Sequence, residues 1–179
     1  AASRTHISQK KPLLVKNYGG YQWMDPSEPA AQAHSLAVIM DVVRRYDVDG
    51  LHMDDYFYPY QVKDSKGKPL DFPDDASWKS YKGKMSRADW RRDHINRFIQ
   101  RMYSEVKKIR PWVKVGISPF GIWRPGYPKT IKGLDAYNTL YADARKWINN
   151  GWLDYCAPQL YWSIESPGQS YPKLLKWWV

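Results

Sequence analysis

A parallel α/β fold is predicted for this chain by three observations. Helical and extended patterns alternate from residue 25 onward as helix, strand, helix, strand, helix, strand, which is the repeat of a parallel sheet. Polar and aromatic residues gather after every strand: Asp54 and Asp55, then Trp123 and Arg124, then Gln159, Tyr161 and Trp162. In a (β/α) barrel of the TIM type the working residues lie at the C-terminal ends of the strands, so this distribution favours a barrel over a doubly wound sheet. The third observation is length. A complete barrel takes about 250 residues, whereas 179 residues hold about three to four β/α units. The expectation is a partial barrel in a single domain, residues 1–179.

Each element has a local reason. Residues 1–24, punctuated by Lys and Gly, read as a loop with at most one extended piece at 13–15. Asp25, Pro26, Ser27 and Glu28 then supply an N-cap, a Pro at the first helical position and an acid three residues past the cap. Ala33, Leu36, Ala37, Met40, Val43 and Tyr46 form the apolar face of the helix that follows. Residues 48–53 are the first strand. The irregular stretch 61–85, with Gly67, Pro69, Pro73 and Gly83, is too long for an ordinary connection and reads as a long binding loop or lid insertion. Ser86 and Asp89 cap the second helix, whose stripe from Trp90 to Ile109 is stopped by Pro111. Residues 113–118 are the second strand. A third helix with Tyr137, Leu140, Tyr141, Ala144, Trp147 and Ile148 on one face ends at Asn150 and Gly151. Residues 153–160 form the third strand, and 171–179 open a further helix.

Composition narrows the function. The 10 Trp and 14 Tyr exceed ordinary usage, and rings with one polar end stack on sugars or line wet interfaces. A net charge of +10 suits anionic partners, but its carriers are spread along helices, where a solvated outer face explains them. Nucleic acid is therefore not the expected partner. Cys156 is alone, so no internal disulfide forms and no thiolate metal site is available. His6, His34, His52 and His94 lack ligand spacing, and Asp71, Asp74 and Asp75 lack the pattern of a calcium loop. No metal or other cofactor is expected. No run of about 18 apolar residues and no signal-peptide pattern occurs, so no membrane span is expected in this chain.

The stretch YDVDGLHMDDYFYPY (46–60) carries the chemistry. Unpartnered carboxylates are costly to bury, so two acids at a strand exit walled by aromatic rings mark a site. Asp54 is the first candidate for an essential carboxylate and Asp55 the second, although neighbours on a strand point to opposite faces. His52, two residues before Asp54 and on its side, would orient that carboxylate or touch substrate. Glu165, shortly after the third strand, is the candidate general acid. Tyr56, Tyr58, Trp123, Tyr161 and Trp162 would form sugar platforms, with Arg124 and Gln159 hydrogen-bonding substrate groups. Asp49, Asp143 and Asp154 are better placed for structural roles.

The motifs YDVDGLHMDDYFYP (46–59), ADWRRDHIN (88–96), GISPFGIWR (116–124), YADARKW (141–147) and GWLDYCAPQLYWS (151–163) resemble glycosyl-hydrolase-like family 10. The resemblance runs in order along nearly the whole chain. It implies a TIM-barrel glycosidase fold, further barrel strands on both sides of this chain, a polysaccharide or oligosaccharide substrate, bacterial cell-wall glycan as its source, and a secreted or cell-envelope location. Residues 49–54 are also similar to the Asp-Gly-Phe-Arg-x-Asp strand of the α-amylase family, whose last Asp is the nucleophile. That similarity maps the role onto Asp54, with His52 in place of the Arg and Ser118 and Pro119 where the acid Glu would stand. In the chitinase family 18 pattern Asp54 takes the penultimate acid, and Tyr56 replaces the Glu. The favoured expectation is a carboxylate glycosidase acting on an aminosugar polysaccharide. The alternative is a glycan-binding module that keeps the aromatic cleft without turnover.

Overall fold

A computed structural model describes residues 3–179. The chain opens with a short helix α1 (Ile7–Lys10), a 3-10 turn (Pro12–Leu14) and an antiparallel hairpin of β1 (Val15–Tyr18) and β2 (Tyr21–Met24). This corrects the expected loop. Gly19 and Gly20, at φ 60° and 81°, supply the two left-handed positions that a tight hairpin turn requires.

Helix α2 (Pro29–Arg45) starts three residues later than the cap pattern predicts. Asp25 is fully buried, accepts from the Ser27 N–H and hydroxyl and from Ser77, and lies 3.6 Å from the Lys16 ammonium, so it closes a turn instead of capping the helix. Pro29, already fixed near helical φ, takes the first helical position. Strand β3 (Gly50–Met53) follows. The segment 61–85 is fastened rather than free. It carries a bridge between Lys63 and Pro69, a buried Phe72 and a short helix α3 (Asp75–Ser80), and the Tyr18 hydroxyl both donates to Leu70 O and accepts from Val62 N–H.

Helix α4 (Arg87–Ile109) begins as expected. Ser86 Oγ accepts from the Asp89 N–H at 3.1 Å and donates to its carboxylate at 2.6 Å. Strand β4 (Lys114–Ile117) comes next. The third helix is two pieces, α5 (Ala136–Thr139) and α6 (Ala144–Asn149), separated by Tyr141 at φ 54°. Strand β5 (Tyr155–Cys156) is shorter than expected, although Asp154, Ala157 and Gln159 continue to donate backbone bonds to the β4 side. Helix α7 (Tyr171–Trp178) closes the chain.

Strands β3, β4 and β5 form a parallel sheet with β4 central. Alternation gives the sheet two unlike faces. Leu51, Met53, Val115 and Ile117 join Leu36, Met40 and Val43 of α2 and Ile95, Ile99, Met102 and Val106 of α4 in one core. His52 and Asp54, and the Tyr155 ring, occupy the other face, which is open.

Candidate functional site

The open face at the strand exits gathers Asp54, His52 and Gln159, together with two residues that sequence reasoning did not select, Ser118 and Tyr155. Asp54 leaves β3 with its Oδ1 accepting from the Asp55 N–H and from Gln159 Nε2, both at 2.8 Å. Two donors on one oxygen fix the plane of the carboxylate, and Oδ2 has no donor among the described residues. Gln159 Nε2 also reaches Ser118 O at 3.0 Å, tying the exits of all three strands together.

His52 lies one row below. Its Nδ1 is 2.9 Å from the Tyr155 hydroxyl and its Nε2 is 2.5 Å from Ser118 Oγ. Register explains the pairing. His52, Gly116 and Tyr155 stand side by side across the sheet, and a Cβ on Gly116 would sit 2.0 Å from the Tyr155 ring. Only glycine there lets that ring lie across β4 and stack on the imidazole, with centroids 5.6 Å apart and planes at 20°. No local signal in the sequence reveals such a row, because register is set by partners about 40 and 60 residues away.

Asp55 turns the other way. It is buried, accepts a short hydrogen bond from Tyr60 and so lies off the open face that carries Asp54. Burial pushes its carboxyl above the usual range, opposed by the Tyr60 hydrogen bond and reinforced by the charge of Asp54. Burial and the same carboxylate raise the Tyr60 phenol in turn.

Around these groups runs an aromatic wall. Exposed Tyr56 packs on Trp23 and Tyr60, Tyr60 on Phe120, and Phe120 on Trp162. Tyr56 also borders a pocket of about 230 Å³ lined by residues of α2 and α4. Tyr161 is 85% exposed. Glu165 lies exposed on the loop after β5, without a side-chain partner among the described residues.

Three expected ligands are elsewhere. Tyr58 is 1% exposed, with its hydroxyl donating to Asp74 and its ring against Phe72 and Tyr141, apart from the open face. Trp123 belongs to a separate stack with Tyr127, Tyr137, Trp177 and Arg145, and its indole N–H donates to Asp143 at 3.0 Å. Arg124 lies over the Trp123 and Tyr137 rings, 3.9 Å from Asp135. None of these contacts includes Asp54, His52 or Gln159. Among the described residues no cluster of His, Cys, Asp and Glu is placed to hold a metal ion, and no helix is long and apolar enough to cross a membrane.

Fold and site together define a mixed α/β protein with an oriented carboxylate at the exits of parallel strands, walled by aromatic rings. Comparison with known proteins places it further. The chain matches the glycosyl hydrolase-like 10 family over residues 4–179 and belongs to that family. It is 41% identical over 183 residues to glycosyl hydrolase YngK of Bacillus subtilis (strain 168), covering 98% of this chain and 35% of that protein. It is 38% identical over 170 residues to glycosyl hydrolase DigH of Escherichia coli (strain K12), covering 92% of this chain and 37% of that protein. The chain thus spans about a third of the length of these relatives.

Proposed function

We propose that this chain is one domain, part of a (β/α)8 barrel, and carries the nucleophile or base side of a glycoside hydrolase site that acts on an aminosugar-containing cell-wall polysaccharide. The observation that carries this reading is Asp54: an exposed carboxylate at a strand exit, oriented through one oxygen and open at the other. Hydrolysis of a glycosidic bond needs one carboxyl as acid and a second as nucleophile or base. Asp54 takes the second role. Glu165, exposed and without a partner on its loop, is the candidate acid, while Tyr56, Tyr161 and Trp162 supply faces on which a sugar ring stacks. The two relatives named glycosyl hydrolases support the class of reaction. An aminosugar substrate and a secreted or cell-envelope setting follow from the sequence resemblance, and the excess of positive charge would help hold an anionic wall.

Ser118, on the strand next to Asp54, favours a second reading. A hydroxyl stands where an acid would complete a carboxylate pair across neighbouring strands, as in a module that binds glycan without cleaving it. Release of reducing ends from purified peptidoglycan glycan strands and from chitin oligosaccharides separates the two. It is measured in this chain and in a version extended at both ends to the length of its relatives. Asp54→Asn abolishes release and leaves binding intact under the first reading. Binding without release in every version would establish the second.

A further inference from the structure

An imidazole held between two hydroxyls is an unusual expense of polar groups for a sheet face, and it has a chemical consequence. Neutral histidine carries one N–H, so one ring nitrogen donates and the other accepts. A phenol is a far stronger acid than an alkyl alcohol and is the better donor to an imidazole nitrogen. With the Tyr155 hydroxyl as donor to His52 Nδ1, 2.9 Å away, the proton of the neutral ring sits on Nε2 and is donated to Ser118 Oγ, 2.5 Å away. Ser118 receives its hydrogen bond from within the protein. Its own proton is left for an acceptor outside.

Where that proton is offered follows from the backbone. The Ser118 N–H donates to Met53 O at 2.9 Å and Ser118 O accepts from Gln159 Nε2, whose other partner is Asp54. Ser118 is only partly exposed and is pinned on both sides, one step across the sheet from the Asp54 carboxylate. Gly116 has no side chain of its own, and the space a side chain would need is taken by the Tyr155 ring. The whole row thus converges on one serine.

We propose that Ser118 is a substrate-contacting residue of the site, donating to a sugar acceptor oxygen, either a hydroxyl or the carbonyl of a 2-acetamido group, bound beside Asp54. Tyr155 and His52 are positioning residues that act through it. This inference rests on the glycan-directed reading above.

Its test is a double-mutant cycle read in kcat and KM for the same glycan strands and oligosaccharides, with Kd for the same ligands measured by calorimetry. Ser118→Ala lowers kcat/KM, or raises Kd if the site only binds, by about tenfold, as expected for one lost hydrogen bond to a ligand. Ser118→Thr, which keeps the hydroxyl, restores most of it. Tyr155→Phe keeps the stacked ring but removes the donor, so His52 adopts the other tautomer and draws the Ser118 proton inward. The result is a smaller loss in the same parameter. The double variant is no worse than Ser118→Ala alone. Wild-type kinetics and affinity in Ser118→Ala, or losses that simply add, would overturn the proposal while leaving the role of Asp54 intact. A wild-type protein that neither cleaves nor binds these glycans would overturn both readings together.

Discussion

Asp54 and Asp55 are consecutive, yet strand alternation sends one to the open face and the other beneath Tyr60. Their energetics diverge accordingly. Burial raises the Asp55 carboxyl above its unfolded value. The fold therefore favours the protonated acid, and that contribution is fully present below the unfolded value and lost as pH rises through the folded one. Asp55→Asn keeps an acceptor for the Tyr60 hydroxyl and cannot ionise. Its Tm exceeds that of the wild type at pH 7, and the gap closes as pH falls toward about 3.5, near the ordinary carboxylate value of 3.8. Thermal scans across that range check it, and a gap independent of pH would contradict the assignment. The place of Asp54 at a strand exit was legible because an acid there among aromatics is a local pattern. The roles of Ser118 and Tyr155 depend on register across three strands, which no window of sequence contains.

At the level of elements, the segment 61–85 and helix α4 form one electrostatic unit. Fully buried Asp74 pairs with Arg91 at 2.6 Å and with Arg87, while Arg91 also reaches Asp71 and the Tyr141 hydroxyl, each at 2.7 Å. Burial opposes the Arg91 charge, but the two carboxylates outweigh it and raise the guanidinium's affinity for its proton. Asp74→Ala leaves the buried Arg91 with only the largely exposed Asp71 carboxylate as counter-charge and should cost about 3–5 kcal/mol in denaturant unfolding. Amide exchange across residues 70–80 should quicken in the same variant. An effect under about 1 kcal/mol would mean that the loop is held by its apolar contacts. The sequence showed the Ser86 cap and the order of strands because these are short-range patterns. It misled at the third helix, where apolar spacing runs on from Tyr137 to Ile148 although Tyr141 breaks the backbone with a left-handed turn. The hairpin had a readable signal in Gly19 and Gly20, set between two extended runs.

Over the molecule as a whole, net charge and site chemistry are separable. The +10 charge lies largely on helix surfaces, whereas the candidate site gathers the carboxylates Asp54 and Glu165 with His52, Ser118, Gln159 and aromatic rings, and no Lys or Arg. Binding of neutral chitin oligosaccharides should change less than about twofold between 50 and 500 mM salt, and binding of an anionic wall polymer should weaken steeply over the same range. Equal salt dependence for both ligands, measured by calorimetry, would place the cationic surface inside the site. One further consequence belongs to descent. A methyl at position 116 can be housed only by swinging the Tyr155 ring away from His52. The two positions are therefore epistatic, and the order of their replacement has a direction. Filling position 116 while Tyr155 is present displaces its ring and the anchor of the imidazole, whereas a lineage that has already replaced Tyr155 fills position 116 without that loss.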